Sequence, residues 1–331
     1  MSETRGEAYM TTNKEATEST GILKSSGSYL TARLSQDLKK HWQLYLMLLL
    51  PVSFVIVFNY IPIYGITMAF KDFSMKDGFF GGTWVGLKYF RQFFESPMLR
   101  MLLSNTLIIS FYSLIVMFPI PIVFSIALNE VGSKLVKKTL QTVTYAPYFI
   151  STVVLVGMLL QIFHLRIGMV NNLLQIVGLD RVDFMGTVGH FRHLYVWSGL
   201  WQGMGFSAVI YIAALGGVDP SLVEASVIDG ATRLHKIQHI DIPAILPTVV
   251  IQLIFAIGGI MSLGFDKIWL MQNPVNQPIS EVISTFVYKR GIEQMQYSYA
   301  TAVGLFNAVV NLALLTAANF GARKLGDTSL W

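Results

Sequence analysis

Hydrophobic and charged residues are strongly segregated along this chain. Six runs of 24 to 30 residues contain no Asp, Glu, Lys or Arg, whereas the next longest such runs have 13 residues. A helix needs roughly 20 apolar residues to cross a bilayer, so each long run predicts a transmembrane helix. The runs are continuous and do not alternate with polar residues, as the strands of a membrane β-barrel would. The predicted helices lie near residues 44–67, 101–128, 144–163, 194–216, 244–265 and 300–321.

Composition supports a membrane protein. The chain is 53% hydrophobic and 13% charged, against roughly 25% charged residues in soluble domains. The predicted fold class is therefore all-α, a polytopic protein with six transmembrane helices and the lipid bilayer as its surroundings. The net charge of +5 is scattered and forms no basic face with interleaved aromatics, so nucleic acid is not an expected partner. The absence of cysteine excludes disulfides and thiolate metal sites.

Residues 1–40 differ from the rest and form a predicted N-terminal tail, with residues 41–331 as the membrane domain. The tail is rich in Ser, Thr and Glu and poor in apolar residues, which is typical of disorder. Near its end, Leu30, Leu34 and Leu38 recur every fourth position beside basic residues. That spacing predicts a short helix on the membrane surface. The alternative, which the spacing favours as much, is a helical extension of the first span.

The predicted spans lack ionisable residues of the kind that ion-coupled carriers and voltage sensors keep in the membrane. The pattern therefore argues against a coupling relay within this chain. Neutral polar and aromatic side chains do occur in the spans. They either join helices by hydrogen bonds or line a substrate pathway, for which the candidates are Asn105, Gln161, Trp201, Tyr211, Gln252, Asn307 and Asn311.

The chain has no recognisable energy source or catalytic centre of its own. It contains no Gly-Lys pair and hence no P-loop that could hold nucleotide phosphates. The pairs His190/His193 and His235/His239 have no acidic or Cys partner nearby in sequence to complete a metal site. We therefore expect a transport protein and not an enzyme, with no metal or cofactor bound by this chain.

One charged loop, residues 217–243, separates the fourth and fifth predicted spans. Asp219 and Pro220 are typical of a helix start, and Gly230 suits a left-handed residue that ends a helix. Helical spacing then resumes until Pro243, which is expected to stop the second helix and open the fifth span. The loop thus predicts two short helices that meet at a glycine elbow, with small residues through which another protein could approach the backbone.

This loop resembles the EAA motif of the membrane subunits of binding-protein-dependent ABC importers, whose form is E-A-A-x3-G-x9-I-x-L-P. Here the spacing is kept, while Ser226 replaces the second Ala and Ile242 replaces Leu. The resemblance implies a cytoplasmic coupling helix that docks on an ATPase subunit. It assigns that role to Glu224, Ala225, Ser226, Asp229, Gly230, Ala231, Ile240 and Pro243.

A second resemblance covers most of the remaining chain. The stretches at 59–74, 264–274 and 296–320 are similar to the oligosaccharide permeases of the LplB group, which implies complex and often acidic cargo such as pectin or alginate fragments. It also implies a second homologous permease, two ATPase subunits that bind ATP and Mg²⁺, and an extracytoplasmic substrate-binding protein that meets the outer loops 71–100 and 164–193.

The resemblance to the EAA motif implies a location in the bacterial cytoplasmic (inner) membrane with the loop 217–243 and both termini in the cytoplasm. The positive-inside rule alone barely decides the orientation, with 13 Lys and Arg on that side against 11 on the other. An alternative function is a self-contained facilitator or channel, in which the charged loop is regulatory. That alternative predicts transport by the purified chain alone, whereas an ABC permease needs its ATPase.

Overall fold

The computed structural model describes residues 40–78, 81–187, 189–325 and 329–330. The predicted N-terminal tail and its surface helix therefore lie outside the described residues. The α-helices are Trp42–Val55, Lys88–Phe94, Met98–Met117, Pro119–Asn129, Lys134–Tyr145, Thr152–Ile162, Met169–Ile176, Phe191–Gly216, Pro220–Ile228, Arg233–Lys236, Ile242–Gly258, Phe265–Met271, Gln277–Ser280, Ile283–Tyr288 and Tyr297–Leu325. Tighter or wider helical turns occupy Ile56–Tyr60, Ile61–Phe70, Met75–Asp77, Ala146–Phe149, Ile237–Asp241 and Lys289–Glu293.

The chain divides into two compact units, Met1–Gly65 and Ile66–Trp331. Within its described part, the first unit consists of the apolar helix Trp42–Val55 and the turns that continue it. The second unit holds the remaining helices and one small antiparallel hairpin, in which Lys71 pairs with Trp84 and Asp72 with Thr83. The all-α fold class predicted from the sequence is confirmed.

Five helical segments of the described residues are long and apolar enough to cross a membrane. They are Trp42–Phe70, Met98–Asn129, Phe191–Gly216, Arg233–Gly258 and Tyr297–Lys324. They correspond to the first, second, fourth, fifth and sixth predicted spans. The second segment consists of two helices, Met98–Met117 and Pro119–Asn129, which meet at Phe118. The first helix ends there because Pro119 and Pro121 cannot donate backbone hydrogen bonds to the preceding turn.

The third predicted span, 144–163, is not one continuous helix. Helical segments Lys134–Phe149 and Thr152–Ile162 meet at 96° and count as a sixth span only if they are taken together. Pro147 lies in the last turn of the first segment, and Ser151 begins the second, where its hydroxyl accepts a hydrogen bond from the Val154 amide. The carbonyl of Ile150, freed at the break, accepts a 2.7 Å hydrogen bond from the Gln202 side chain.

Two buried apolar clusters hold the second unit together. The first joins the second, third and fourth spans to helix Phe265–Met271, and includes Ile109, Leu155, Phe191, Val196 and Ile268. The second joins helix Lys88–Phe94 and the start of the second span to the sixth span and the chain before it, and includes Phe93, Leu102, Ile283, Phe286 and Val303. These clusters fix the inter-span connections relative to the spans.

A buried polar network supports the connection between the fifth and sixth spans. The Glu281 carboxylate is 1% exposed, pairs with the Lys289 ammonium, and accepts hydrogen bonds from Gln272 and Gln277. A buried charge is tolerated when it is paired and its remaining lone pairs are satisfied. The network therefore stabilises the short helices and turns that connect the fifth span to the sixth.

Candidate functional site

The first half of the charged loop is an exposed helix with a well-defined start. The Asp219 carboxylate accepts a 2.9 Å hydrogen bond from the Ser221 amide, and bonds from Ser221 hold the pKa of Asp219 below its ordinary value. Pro220 occupies the first helical position and the helix ends at Ile228, with no buried residue. Because Glu224 and Ala225 are exposed, they are free to meet another molecule.

Gly230 forms the predicted elbow. Its φ of +74° lies in the left-handed region, which glycine adopts without the steric cost of a Cβ. The Ala231 amide donates to the Ser226 carbonyl at 2.9 Å, and the Gly230 amide donates to the Val227 carbonyl at 3.1 Å. These two bonds are those of a Schellman motif, which ends a helix at a left-handed residue. The sequence prediction of a helix end at Gly230 is confirmed.

The second half of the loop differs from the prediction. Thr232 caps a helical turn at Arg233–Lys236, and the helix continues without a stop through Ile237–Asp241 into Ile242–Gly258. Pro243 was expected to stop this helix. The wider turn at Ile237–Asp241 has i to i+5 bonding, which accommodates a proline that lacks an N–H. The fifth span is thus a rigid extension of the loop.

Three charged side chains join the loop to the spans. The Lys236 ammonium pairs with the Glu130 carboxylate at the end of the second span. It also lies 3.4 Å from the Asp241 carboxylate at the start of the fifth span. Asp241 is almost fully buried, and Lys236 and Glu130 are largely so. Removing one partner of such a buried pair leaves an uncompensated charge, so we name Glu130, Lys236 and Asp241 the loop clamp.

The loop also presents apolar side chains to the outside. Val227 is 69% exposed and Ile228 is 85% exposed, beside the elbow. Leu222 and Leu234 are more than half exposed as well. An exposed apolar patch rimmed by polar residues is typical of a protein interaction site. The loop therefore has both the exposure and the chemistry of a docking surface.

Two of the substrate-pathway candidates have their hydrogen bonds satisfied inside the protein. The Asn105 amide donates to the carbonyls of Pro278 and Glu281 and accepts from Arg192. Asn311 accepts from the Met261 amide at 3.1 Å and donates to the Ser262 hydroxyl. For these residues the geometry favours the alternative of helix packing.

Tyr211 and Gln252 lie together on a groove between the second, fourth and fifth spans. The groove is a cavity of about 740 Å³ lined also by Met117, Phe206 and Ser207. A smaller cavity of about 240 Å³ continues it along the same spans and shares Met117, Phe118 and Ala256 with it. The volume of the larger cavity suits a small-molecule site. We name the two adjoining cavities the inter-span groove.

The remaining candidates lie elsewhere. Trp201 is half exposed and lines a separate cavity of about 440 Å³ with Trp197 and His193, and Gln161 is exposed near the end of the broken third span. The side-chain oxygen of Asn307 is buried, and none of the described residues donates to it. The structure thus brings only Tyr211 and Gln252 into one cavity.

Neither histidine pair is completed into a metal site. The rings of His235 and His239 are 6.2 Å apart, and the His193 ring bonds to the Tyr112 hydroxyl at 2.8 Å. Among the described residues, no group of three or more His, Cys, Asp or Glu side chains could hold a metal ion.

Sequence reasoning missed several residues that the structure places at functional positions. Lys236 is one of them, because residues five apart do not share a face of a regular α-helix and only the wider turn at Ile237–Asp241 brings Lys236 close to Asp241. Gln202 supports the break in the third span, and Lys267 donates a hydrogen bond to the Tyr195 carbonyl of the fourth span. Their roles depend on contacts between residues 52 to 106 positions apart, which one sequence does not reveal.

The sequence and the fold both have counterparts among known proteins. Residues 118–325 match the family described as binding-protein-dependent transport system inner membrane component. The chain belongs to this family. The match covers the loop and every span from the third to the sixth.

Individual relatives agree with the family. Polygalacturonan/rhamnogalacturonan transport system permease protein YteP of Bacillus subtilis (strain 168) is 39% identical over 299 residues, covering 90% of this chain and 93% of the relative. Protein LplB of the same strain is 36% identical over 294 residues, covering 89% and 92%. The crystal structure of a bacterial alginate ABC transporter, in complex with an alginate pentasaccharide-bound periplasmic protein, contains a similar chain. That chain is 37% identical, with 90% of this chain and 100% of that one covered and a TM-score of 0.82.

The predicted function is thereby confirmed at the level of the importer class. The chain is a transport permease subunit of an ABC importer for a sugar or oligosaccharide and an inner membrane component. The resemblance to the LplB group is confirmed as well. Neither the family nor its relatives support the alternative of a self-contained facilitator or channel.

Proposed function

We propose that the loop 217–243 is the cytoplasmic coupling element of the importer and that it docks on a separate ATPase subunit, which binds ATP and Mg²⁺. The observation that carries this proposal is the exposed helix Pro220–Ile228 with its glycine elbow and apolar rim. Glu224 is placed to accept a charge-assisted hydrogen bond from a basic residue of the ATPase. Ala225, Ser226 and Ala231 let the partner approach the backbone closely.

The remaining motif residues serve the same docking surface. Asp229 is the C-cap residue that follows the helix, and Gly230 turns the chain after it. Ile240 and Pro243 lie on the continuous helix that leads into the fifth span. Force applied at the elbow would therefore move the fifth span directly, because no flexible linker separates the two.

We further propose the assembly and orientation that this role requires. Both termini and the loop lie in the cytoplasm, while the loops 71–100 and 164–193 face the substrate-binding protein on the other side. A second homologous permease completes the pathway and two ATPase subunits drive it. ATP binding favours one conformation of the permease pair and hydrolysis restores the other, which is a shift of populations by differential binding.

The proposed cargo is an acidic oligosaccharide carried along the inter-span groove. Polygalacturonan and alginate, which appear in the names of two relatives, are polymers of uronic acids with one carboxylate on each sugar. Tyr211 and Gln252 offer a hydroxyl and an amide to sugar hydroxyls in the groove. Trp201 offers a half-exposed ring for stacking in the separate cavity that it lines.

Site-specific cross-linking tests the docking and the orientation together. The chain contains no cysteine, so a single introduced thiol is unambiguous. We expect Ala225→Cys to be joined to the ATPase subunit in the assembled complex by a maleimide–benzophenone reagent, whose maleimide bonds to the introduced thiol and whose photoactivated ketone inserts into a nearby C–H bond of the partner. Val177→Cys, which is 70% exposed in the opposite predicted loop, is the matched control and should give no ATPase adduct. An adduct at position 177 with none at position 225 would refute the proposed orientation.

A further inference from the structure

The helix Lys134–Tyr145, which leads into the broken third span, begins with a group of three lysines. We name Lys134, Lys137 and Lys138 the basic cluster. The chain from residue 131 to residue 179 contains no Asp or Glu, and none of the three lysines forms an ion pair with a described residue. Lys134 and Lys138 are exposed, and Lys137 is partly so. The cluster is therefore a local excess of positive charge on the protein surface.

Packing against the fourth span fixes the depth of the basic cluster in the membrane. A Cβ on Gly205 would overlap the Thr144 carbonyl, so the backbones of the two helices touch at this point. Thr144 lies ten residues after the first residue of its helix, and Gly205 lies 11 residues before Gly216, where the fourth span ends. Each stretch rises about 15 Å, which is half of the hydrocarbon thickness. Glu130, just before the helix, pairs with Lys236 of the charged loop, so the cluster lies at the headgroups on the side of that loop.

The outward side of the same helix is apolar. Four exposed side chains share it at helical spacing and form what we name the apolar face: Leu135, Val136, Leu140 and Val143. Gln141 and Thr144, on the opposite side, are partly buried. Lys138 and Lys137 border the apolar face on its two edges, since each lies three residues from one of its leucines. The surface is thus cationic at the depth of the headgroups and apolar at the depth of the hydrocarbon.

We propose that the basic cluster and the apolar face together bind an anionic phospholipid. The lysines hold the headgroup phosphate by charge-assisted hydrogen bonds, as juxtamembrane basic residues attract acidic lipids, and an acyl chain covers the apolar face. A water-soluble protein could meet the lysines but could not reach Val143, which lies beside the contact at the middle of the fourth span. The proposal does not depend on which side of the membrane is the cytoplasm, because it places the lipid only relative to the charged loop.

The test measures lipid at this surface in the assembled importer. The chain has no cysteine, so Leu135→Cys carries a single fluorophore on the exposed apolar face. The complex is placed in phosphatidylcholine liposomes that contain equal mole fractions of chain-spin-labelled phosphatidylglycerol or phosphatidylcholine, and quenching by each lipid is compared. We expect the site to favour phosphatidylglycerol by about fivefold or more, since one lysine near a charged surface contributes about that factor. High salt should reduce the preference.

Charge variants in the Leu135→Cys background separate the possible outcomes. Replacing all three lysines of the basic cluster with Gln should abolish the preference, replacing them with Arg should keep it, and Lys138→Gln alone should give an intermediate value. Lys324→Gln, which removes an exposed charge at the end of the sixth span, is the matched control and should change nothing.

Three results would overturn the inference. The first is equal quenching by the two lipids, or a preference that survives the triple Gln variant. The second is no quenching by either lipid, which would show that another membrane subunit covers the apolar face. The third is loss of the copurifying ATPase subunit in the Gln variants but not in the Arg variant, which would show that the basic cluster binds a protein.

Discussion

At the scale of single residues, the elbow of the proposed coupling loop depends on backbone geometry more than on side-chain contacts. Gly230 is surrounded by open space, since a Cβ built there meets no heavy atom within 4 Å. The reason for glycine is therefore its φ of +74° and not close packing. The elbow sets the direction in which the docking helix leaves the continuous helix of the fifth span.

Replacing Gly230 tests this conclusion. Proline fixes φ near −65°, so Gly230→Pro should destroy the elbow and uncouple ATP hydrolysis from uptake in the reconstituted complex. Gly230→Asn is the matched control because asparagine tolerates the left-handed region, and it should keep most of the coupling. The measurement is the number of sugar molecules imported per ATP hydrolysed. A normal ratio in the proline variant would show that the elbow is dispensable.

At the scale of elements, the loop clamp links three segments that are distant in sequence. Lys236, at the start of the continuous helix 233–258, contacts Glu130 at the end of the second span. It also contacts Asp241, which lies five residues further along the same helix. In the proposed function, a push on helix Pro220–Ile228 would be passed to the second span as well as to the fifth. The inter-span groove lies between these two spans and the fourth, so their movement would change its width.

We predict that Lys236→Met lowers both stability and transport. The variant leaves two acids without a cation, which should cost about 1 to 3 kcal/mol of unfolding free energy, and it should import fewer sugars per ATP. Lys236→Arg should retain both properties. Thermal unfolding and transport are measured for Lys236→Met, Glu130→Gln and the double variant. Additive losses in the double variant would argue against a clamp, because interacting residues are not additive.

The broken third span gives a second prediction for an element. The Gln202 side chain satisfies the Ile150 carbonyl at the break, and an unsatisfied carbonyl in the membrane is costly. Gln202→Leu should therefore reduce the free energy of unfolding by about 1 to 2 kcal/mol, seen as a lower midpoint of thermal unfolding of the complex. Gln252→Leu, in which the altered residue faces the groove, should change the midpoint less. The reverse order would contradict this role for Gln202.

At the scale of the whole molecule, charge-free runs were sufficient to locate the spans, because the bilayer excludes charge so strongly. Cap residues located the helix start at Asp219 and the helix end at Gly230, because capping depends on residues that are adjacent in sequence. The break at Ile150 was not predictable in this way, since it depends on a side chain supplied by another span. Nor was the helix through Pro243, because a wider turn satisfies the backbone that proline would otherwise disrupt.

The sequence also could not distinguish polar residues that pack between spans from polar residues that line a cavity. Asn105 and Asn311 were both candidates for the substrate pathway. Only the folded chain reveals that their side-chain amides are hydrogen-bonded to backbone groups, Asn105 to a carbonyl and Asn311 to an amide. Tyr211 and Gln252 were indistinguishable from them by sequence, yet these two face a cavity. A polar residue in a span can serve either purpose, and the partner that decides between them is distant in sequence.

The most direct test of the central claim is the ATPase activity of the copurified permease, ATPase and binding-protein complex in liposomes, measured with and without an acidic oligosaccharide. The account predicts that the liganded binding protein raises ATP hydrolysis several-fold, that uptake accompanies it, and that the permease chain alone transports nothing. Equal ATPase rates with and without the oligosaccharide, together with uptake by the isolated chain, would contradict it.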